Sequence, residues 1–526
     1  MPSWGIHVGI ANKLSQKIEN IDKNLFMFGN VVPDINNGFI IEDISKTISH
    51  KITHYDEKIS KIISSRTSNY DKEDNFKGYK RFYIKYMNYI NNPVVLGSLA
   101  HLMTDYYFNN ITYSKKAIWE DGKVVGLKLN TGKEIKCDKE TVREMKVNDF
   151  RIFADYIYKN HQLSNIKYDK KMLLINLIVE EFDITKEDAE KTIEYLNNYI
   201  ENKKSIIDKC ENTEYQIFTQ IELEEISENC VDFILDFLEK INKIVIGKTA
   251  GFCYGVKKAV EGAENEIKNS VEPIYCLGEI VHNKQVIEDL KNKGIIFIED
   301  IKDAKGTTII RAHGVPKEIY EKAQQKNIEL KDYTCPNVLK IHKIVEEYSE
   351  KGYFIFLCGS KNHPENLGTI SHCTENSYII EKEDDTFKAL EKLEKSKIKK
   401  LLVISQTTYS LEKFYIIKEK IENKLPQNIE LVIKNTICAT TEQRQIETKE
   451  LSKKVDMMII IGGKNSSNTK KLYEVALKDC SKAVCIENYQ ELENIQNEIK
   501  NSNKIGIMAG ASTPQKSIEE VVKYLI

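Results

Sequence analysis

Hydrophobic residues recur with two different periods in the two parts of the chain. Over residues 1–241 they return at helical spacing, as on one face of an amphipathic helix. The pattern predicts helices at 4–21, 44–64, 79–90, 94–108, 147–159, 186–210 and 213–241. Residues 117–137 differ, because an alternating run is followed by an Asn-Thr-Gly turn signal. There we expect a β-hairpin insert in an otherwise mostly α domain.

From Lys243 onward, short apolar runs alternate with amphipathic helical stretches. Candidate strands are 244–247, 273–277, 307–311, 354–358, 401–405, 430–433, 457–461, 483–487 and 504–508. Such alternation is typical of parallel α/β folds, whose chemistry gathers at the carboxyl ends of strands. We therefore predict a multidomain chain, with a helical domain at 1–241 and an α/β domain at 243–526. Recurring strand–turn–helix units divide the second domain into three similar lobes, at about 254–335, 336–434 and 435–526.

Composition narrows the class of protein. The 526 residues are 41% apolar and 30% charged, with 77 basic against 79 acidic side chains and a formal charge of -2. This balance gives no general argument for binding nucleic acid or an anionic membrane. The start does not have the pattern of a secretory signal, and no apolar run reaches the length of a membrane span, so we expect a cytoplasmic protein. The eleven scattered cysteines then favour thiols or metal ligands over disulfides.

Three cysteines lie at turns after predicted strands, each beside glycine, proline or threonine. They are Cys253, Cys335 and Cys438. Thiolates are the usual ligands of iron–sulfur clusters, and a helix N-terminus favours the thiolate form. We expect the three to share a cubane cluster in which one iron has no protein ligand and is free to bind a substrate oxygen. A buried structural role is the commoner fate of a single cysteine, and we assign it to Cys276, Cys358 and Cys480.

Histidines and small polar residues follow other predicted strands in the same half. Three imidazoles converging on one pocket suit an anion such as a diphosphate, although a lone histidine at a turn is more often a surface residue. Serine and asparagine at helix N-termini bind phosphate or serve as helix caps, and the two roles are compatible. The candidates are His282, His313, His363, Ser466, Ser467, Asn468 and Ser512. Glu365 follows His363 closely and is a candidate to hold or relay a proton.

Taken in order, the motifs of residues 243–526 resemble the 4-hydroxy-3-methylbut-2-enyl diphosphate reductase family, which completes the non-mevalonate isoprenoid pathway. The matching stretches are 251–253, 279–283, 312–315, 334–336, 363–365, 406–408, 438–441, 464–468 and 510–512. The resemblance implies a 4Fe–4S cluster on the three cysteines and diphosphate binding by the histidine, serine and asparagine candidates. It also implies that Thr407 and Thr408 lie near the substrate and that Glu365 donates a proton. Electrons would arrive singly from ferredoxin or flavodoxin, and the products would be isopentenyl and dimethylallyl diphosphates.

The first half contains histidines and aspartates at metal-ligand spacing. His101 and Asp105 are four residues apart, as are His50 and His54, so each pair shares one helical face. With two further candidates the zinc ligands would be His7, Asp34, His50, His54, His101 and Asp105. Pairs at this spacing also stabilise helix surfaces without any metal.

The order of these motifs over residues 1–160 resembles the zinc-dependent phospholipase C-like family of helical phosphoester hydrolases. The resemblance implies zinc that activates water. Secreted members use a processed terminal tryptophan as a ligand, whereas Trp4 is not at the terminus here. A later ligand pair has only Asp149, Asp155 and His161 as candidates.

Three hypotheses follow. In the leading one, a reductase is fused to a metal-dependent hydrolase domain. In the second, the N-terminal half is a catalytically silent interaction module. In the third, the C-terminal half is a phosphate-binding iron–sulfur sensor, which the intact Glu365 and three histidines disfavour.

Overall fold

The structure, a computed structural model, describes residues 3–36, 44–55, 77–173, 182–203 and 214–526. The chain divides into two compact units, Met1–Ile241 and Asn242–Leu525. No helix in the described ranges is long and apolar enough to cross a membrane.

The first unit is built mainly from helices. They are α1 (Trp4–Lys17), α2 (Lys23–Gly29), α3 (Val32–Ile35), α4 (His50–Thr53), α5 (Gly78–Tyr86), α6 (Pro93–Ile111), α7 (Lys139–Asn160), α8 (Lys186–Asn202) and α9 (Gln220–Asn242). Helices α2 and α6 pack backbone to backbone, because a Cβ at Gly29 would lie 2.2 Å from the Val94 oxygen and one at Gly97 would lie 2.2 Å from the Phe26 oxygen. This close approach brings the first turns of α6 against the end of α2.

Several elements of this unit differ from the sequence predictions. Residues 23–35, for which no helix was predicted, form α2 and α3. Within the predicted helix at 44–64 the structure has α4, and residues 56–64 lie outside the described ranges, as do 204–210 of the helix predicted at 186–210. The insert has three antiparallel strands, β1 (Ala117–Glu120), β2 (Lys123–Lys128) and β3 (Glu134–Lys136). A second turn was missed, at Gly122, whose φ is +74°.

The second unit contains three four-stranded sheets in which every strand pair is parallel. The strands are β4 (Ile244–Ile246), β5 (Ile274–Leu277), β6 (Ile295–Ile298), β7 (Thr308–Ile310), β8 (Leu330–Asp332), β9 (Phe354–Cys358), β10 (Ser377–Ile380), β11 (Lys400–Ser405), β12 (Glu430–Ile433), β13 (Met457–Ile461), β14 (Ala483–Ile486) and β15 (Ile505–Ala509). Central strands such as β13 are buried at every residue, which explains their continuous apolar runs.

Helices connect these strands. They are α10 (Tyr254–Asn269), α11 (Lys284–Lys293), α12 (Lys317–Gln325), α13 (Pro336–Glu350), α14 (Pro364–Ile370), α15 (Asp385–Ser396), α16 (Leu411–Lys424), α17 (Ala439–Ser452), α18 (Ser467–Asp479), α19 (Gln496–Lys500) and α20 (Gln515–Leu525). Four of these helices begin directly after a cysteine or histidine. The N-caps of α10, α13, α14 and α17 are Cys253, Cys335, His363 and Cys438.

The three sheets have the same internal order. They run β6-β5-β7-β8, β10-β9-β11-β12 and β14-β13-β15-β4. We count the strands of each sheet in chain order and take β4 as the fourth strand of the third sheet. In all three sheets the second strand then lies at one edge, next to the first, and the third and fourth follow toward the other edge. The third sheet takes its fourth strand, β4, from the start of the unit, so it includes a strand that the predicted boundary at residue 435 leaves out.

Three strands escaped the sequence analysis, namely β6, β8 and β10. Each lies at the edge of its sheet, where one side has no strand neighbour. Their side chains are largely half-buried or exposed, as in β8, where none is fully buried. Strand β8 therefore lacks the continuous apolar run that marked the inner strands, whereas β6 is apolar throughout and was missed although its sequence carried that signal.

Asp149 connects two parts of the first unit that are distant in sequence. Its buried carboxylate accepts backbone N–H groups from Gln216, Ile217 and Phe218 at 2.7–2.9 Å. Replacing it by alanine leaves these donors without their acceptor, and we expect Asp149→Ala to destabilise the unit by about 2–4 kcal/mol.

Urea unfolding of the full chain measures this effect. The chain has two tryptophans, Trp4 and Trp119, and both lie in the first unit, so their fluorescence follows that unit. The exposed Glu144 on the same helix supplies the control, Glu144→Ala, which should leave the midpoint nearly unchanged. Equal midpoints for the two variants would contradict the role of Asp149.

Candidate active site and metal-binding cluster

The three predicted cysteines occupy equivalent places in the three sheets. Each follows the fourth strand of its sheet, and each N–H donates to a carbonyl just beyond the third strand. The pairs are Cys335 to Ala312 at 3.0 Å, Cys438 to Thr407 at 2.9 Å and Cys253 to Ala511 at 3.1 Å. One repeated backbone contact therefore places all three thiols, each at the N-terminus of a helix.

The thiols also lie close to one another. A Cβ at Gly255, in the first turn after Cys253, would be 2.6 Å from the Cys335 sulfur, and the Asn337 amide donates to the Cys438 sulfur at 3.1 Å. Burial raises the pKa of the Cys335 thiol, and the neighbouring Cys253 and Cys438 add to the shift. Three thiolates that repel one another in a half-buried place fit a shared cationic group such as an iron–sulfur cluster. All ten cysteines in the described part of the chain are free.

The three predicted histidines come together beside one another. The rings of His282 and His313 stack at 4.3 Å, and His363 lies edge-on to both at 5.5 Å. Burial lowers the pKa of each imidazole, to about 4 for His363 and well below its usual range for His313, so the ring nitrogens are neutral without a ligand. Their pKa would rise again beside an anion.

Polar groups of the third sheet reach the same place. Ser512 Oγ donates to the carbonyl oxygen of His282 at 3.2 Å, and a Cβ at Gly463 would lie 2.6 Å from that oxygen. Ser466 caps α18 by accepting the N–H of Thr469, as the sequence suggested. Within the described chain, both amide atoms of the buried Asn468 and Nδ1 of His313 lack a hydrogen-bond partner. Buried orphan polar atoms near open helix N-termini fit an anionic ligand.

The predicted proton donor is enclosed and directly supported by a predicted neighbour. Glu365 is 2% exposed, and it accepts the Thr407 N–H at 2.7 Å and the Thr407 hydroxyl at 2.6 Å. Burial raises its pKa to about 7, against the opposing effect of these two hydrogen bonds. The carbonyl of Thr407 accepts the Cys438 N–H, so a single residue links the carboxyl to a thiol. Thr408 accepts a hydrogen bond from Gln406 at 3.0 Å.

The site candidates recur at fixed distances from the strand ends. His282, His363 and Ser466 each come five residues after the inner strands β5, β9 and β13. His313, Thr408 and Ser512 each come three residues after the third strands. Asn337 was not predicted as a site residue. It contacts Cys438 from the first turn after Cys335, and its position two residues after a candidate cysteine was a signal that could have identified it.

All six predicted ligands of the first unit meet in one buried cluster. Their ligand atoms form two groups of three, and within each group the atoms all lie within 4.8 Å of one another. One group is His7, His101 and Asp105, and the other is Asp34, His50 and His54. Three close approaches connect the groups, with His54 Nε2 at 3.1 Å from Asp105 and 3.2 Å from His101 Nε2, and His101 Nε2 at 3.6 Å from Asp34.

A hydrogen bond fixes which nitrogen of His101 carries the proton. Nδ1 of His101 lies 2.7 Å from the Asn30 carbonyl oxygen, which only accepts, so Nδ1 is the donor. The Nε2 lone pair of His101 therefore faces Nε2 of His54, 3.2 Å away. Because Nε2 of His54 also lies 3.1 Å from the Asp105 carboxylate, a lone pair and a carboxylate approach the same ring nitrogen, a place suited to a cation.

Two further observations fit a cation. Both ring nitrogens of His7 and both carboxylate oxygens of Asp105 are buried without a hydrogen bond among the described residues. A cavity of about 300 Å³ opens beside the cluster and is lined by His50, His54 and Asp105 together with Tyr79 and Tyr106. The cluster therefore has both unpaired ligand atoms and room for a small molecule.

The remaining metal candidates lie elsewhere. Asp149 is held by backbone N–H groups, as described above, and His161 packs its ring against Tyr156 at 6.2 Å. The indole of Trp4 donates to Asp34 at 3.1 Å, so this tryptophan supports a ligand through its side chain.

Known proteins match the second unit. The family model for LytB protein matches residues 244–526. A relative from Thermoanaerobacter sp. (strain X514), named 4-hydroxy-3-methylbut-2-enyl diphosphate reductase, is 42% identical over 288 residues, which are 54% of this chain and 96% of the relative. One of the same name from Clostridioides difficile (strain 630) is 43% identical over 284 residues, 54% of this chain and 98% of the relative.

A solved structure is also similar, that of the E-1-hydroxy-2-methyl-but-2-enyl-4-diphosphate reductase from Plasmodium falciparum. It is 34% identical with a TM-score of 0.49, covering 53% of this chain and 86% of that one. Since the family match spans more than half of its residues, the chain belongs to the LytB protein family.

Proposed function

We propose that the second unit is a 4-hydroxy-3-methylbut-2-enyl diphosphate reductase. The observation that carries this proposal is the enclosed Glu365 carboxyl, joined through Thr407 to Cys438. The names of the relatives, at 42% and 43% identity, support it. The reaction breaks a carbon–oxygen bond, consumes two electrons and two protons, and releases the hydroxyl oxygen as water.

The diphosphate would lie among the three histidines and the polar residues of the third sheet. Its charge would restore protons to His282, His313 and His363, whose pKa values burial lowers in the free protein. Ser466, Ser467, Asn468 and Ser512 would supply hydroxyl and amide donors from helix N-termini and turns. Binding of this anion should therefore take up protons, and the allylic end of the substrate would then face the cysteines.

The residues that would hold the cluster are Cys253, Cys335 and Cys438. A bound 4Fe–4S cluster supplies electrons one at a time, so the partner would be a one-electron carrier such as ferredoxin or flavodoxin. Thr407 and Thr408 would orient the substrate hydroxyl beside Glu365. At neutral pH that carboxyl holds a proton about half of the time, since its pKa is about 7, and it can protonate a departing hydroxyl.

Replacing Glu365 by glutamine tests the proton assignment. Glutamine keeps the shape and can still contact Thr407, but it has no acidic proton. We expect Glu365→Gln, purified without oxygen, to retain its iron and sulfide and to lose turnover by about 10²–10⁴-fold. Unchanged turnover with a one-electron donor would remove Glu365 from the proposal, and absence of turnover in the unaltered protein would favour the iron–sulfur sensor.

The pH dependence of turnover provides a second test. Because burial raises the Glu365 pKa to about 7, the protonated carboxyl is available below that pH and is lost above it. The turnover number of the unaltered protein at saturating substrate should fall as pH rises through about 7. The residual turnover of Glu365→Gln should lack this decline, and a decline that persists in the variant would assign it to another group.

A second candidate function belongs to the first unit, a zinc-dependent hydrolysis of phosphoesters. It is supported by the Nε2 lone pair of His101, which faces His54, and by the two groups of three ligands beside a cavity. Imidazole and carboxylate ligands suit zinc, which lowers the pKa of bound water. The competing hypothesis is a silent interaction module without metal.

Zinc analysis of the full chain separates these hypotheses. We expect the unaltered protein to bind zinc and His101→Ala to lose most of it, because His101 faces both ligand groups. His161→Ala, a histidine outside the cluster, is the control and should keep the zinc. Equal zinc content in both variants, or none before substitution together with no phosphoesterase activity on added zinc, would favour the interaction module.

A further inference from the structure

Helix α17 carries two charged residues that contact the loop leading to Cys253. The helix begins after Cys438, and Arg444 and Glu447 follow on one of its faces. Glu447 accepts the backbone N–H groups of Lys248 and Thr249 at 2.7 and 2.9 Å. Arg444 donates through Nε to the Thr249 carbonyl at 2.6 Å and through Nη2 to the Gly251 carbonyl.

These contacts of Arg444 and Glu447, called the clamp here, connect two cysteine-bearing segments. The Glu447 carboxylate accepts N–H groups of the loop, and the Arg444 guanidinium donates to carbonyls of the same loop. The loop needs such support because Gly251 has a φ of +103°, a conformation that other residues rarely adopt. Glu447 lies on the part of the loop far from the cysteine, whereas Arg444 reaches the residue two before it. The clamp thus connects the positions of Cys253 and Cys438 directly.

The charge of Arg444 has no full partner in the clamp. The side chain is 2% exposed, and its Nη1 has no hydrogen-bond acceptor among the residues described. The negative charges that act on it most strongly are those of the Cys253 and Cys438 sulfurs, ahead of the Glu447 carboxylate. A buried cation is costly unless an anion compensates it, so the side chain is suited to a site that carries negative charge.

We propose that Arg444 is a positioning residue of the iron–sulfur site that also raises the reduction potential of the cluster. The inference rests on the proposed function, because it takes the three thiols as cluster ligands. A cluster gains negative charge when it is reduced, and a fixed positive charge nearby stabilises the reduced form more than the oxidised form. The free Nη1 can further donate to sulfur, and such hydrogen bonds raise the potential of iron–sulfur sites.

The fork shape of the guanidinium explains why arginine is used here. Two of its nitrogens bind two different carbonyls, and a third remains for the sulfur side. Lysine could keep the charge, but its single ammonium would not hold Thr249 and Gly251 together in the same way. The two properties, clamp and charge, can therefore be separated by substitution.

Three variants of the full chain, purified without oxygen, provide the test. Iron and sulfide content, thermal unfolding and a redox titration followed by electron paramagnetic resonance are measured for each. Arg444→Gln removes the charge, and its cluster should titrate at a more negative potential than that of the unaltered protein. Glu447→Gln loosens the same loop from the same helix but removes a negative charge, so its potential should stay or move to more positive values.

Arg444→Lys keeps the charge and should have nearly the original potential with a lower unfolding temperature. If Arg444→Gln purifies without iron, the lysine variant carries the test, and a negative shift in it would overturn the electrostatic role. Equal shifts in Arg444→Gln and Glu447→Gln would reduce the effect to loop packing, and no shift in Arg444→Gln would overturn the proposal.

Failure of the proposed function gives a different result. An unaltered protein without iron and sulfide would reject the cluster itself, before any variant is compared. A protein that contains the cluster but does not reduce the hydroxylated diphosphate would reject the substrate, while the potentials of the three variants would still decide the role of Arg444.

Discussion

One backbone hydrogen bond, made three times, is the constraint on which the second unit depends. In each sheet the N–H of a cysteine beyond the fourth strand donates to a carbonyl beyond the third strand. The acceptors are Ala312, Thr407 and Ala511, two residues after the ends of β7, β11 and β15. Since parallel strands end at one edge of their sheet, this contact brings each sulfur to the edge where the polar turns lie. The sheets could differ elsewhere without moving the thiols.

The same positions carry different chemistry in the three sheets. The place five residues beyond the inner strand holds histidine twice and serine once, and the place three residues beyond the third strand holds histidine, threonine and serine. The backbone supplies equivalent places, and under the proposed function the side chains would divide the work between anion binding and proton transfer. Because β4 completes the third sheet, its cysteine comes at the start of the unit while the other residues of that sheet come at the end. The clamp by Arg444 then joins this early loop to α17, the helix that begins after the cysteine of the second sheet.

The sequence allowed the inner strands, the three cysteines and the three histidines to be predicted, because buried parallel strands are apolar throughout and the residues after them are short polar turns. It did not reveal Arg444, which lies inside a helix and far in sequence from the loop that it contacts. The edge strand β8 was missed because none of its residues is fully buried. In the first unit four of the six ligands were predictable from their four-residue spacing, but α3, which carries Asp34, was not predicted because its one turn leaves no periodic pattern.

The two units differ in the kind of metal that their donors can hold. The second unit offers three sulfurs near a buried arginine, and thiolates are the usual ligands of iron–sulfur clusters, although they also bind zinc. The first offers four imidazoles and two carboxylates, with Nδ1 of His101 tied to a carbonyl so that Nε2 faces inward. Nitrogen and oxygen donors of this kind favour zinc and related ions over an iron–sulfur cluster, which needs thiolates. The imidazole and carboxylate donors of the first unit would therefore not hold an iron–sulfur cluster, whereas the thiols of the second unit have the donor atoms that a cluster requires.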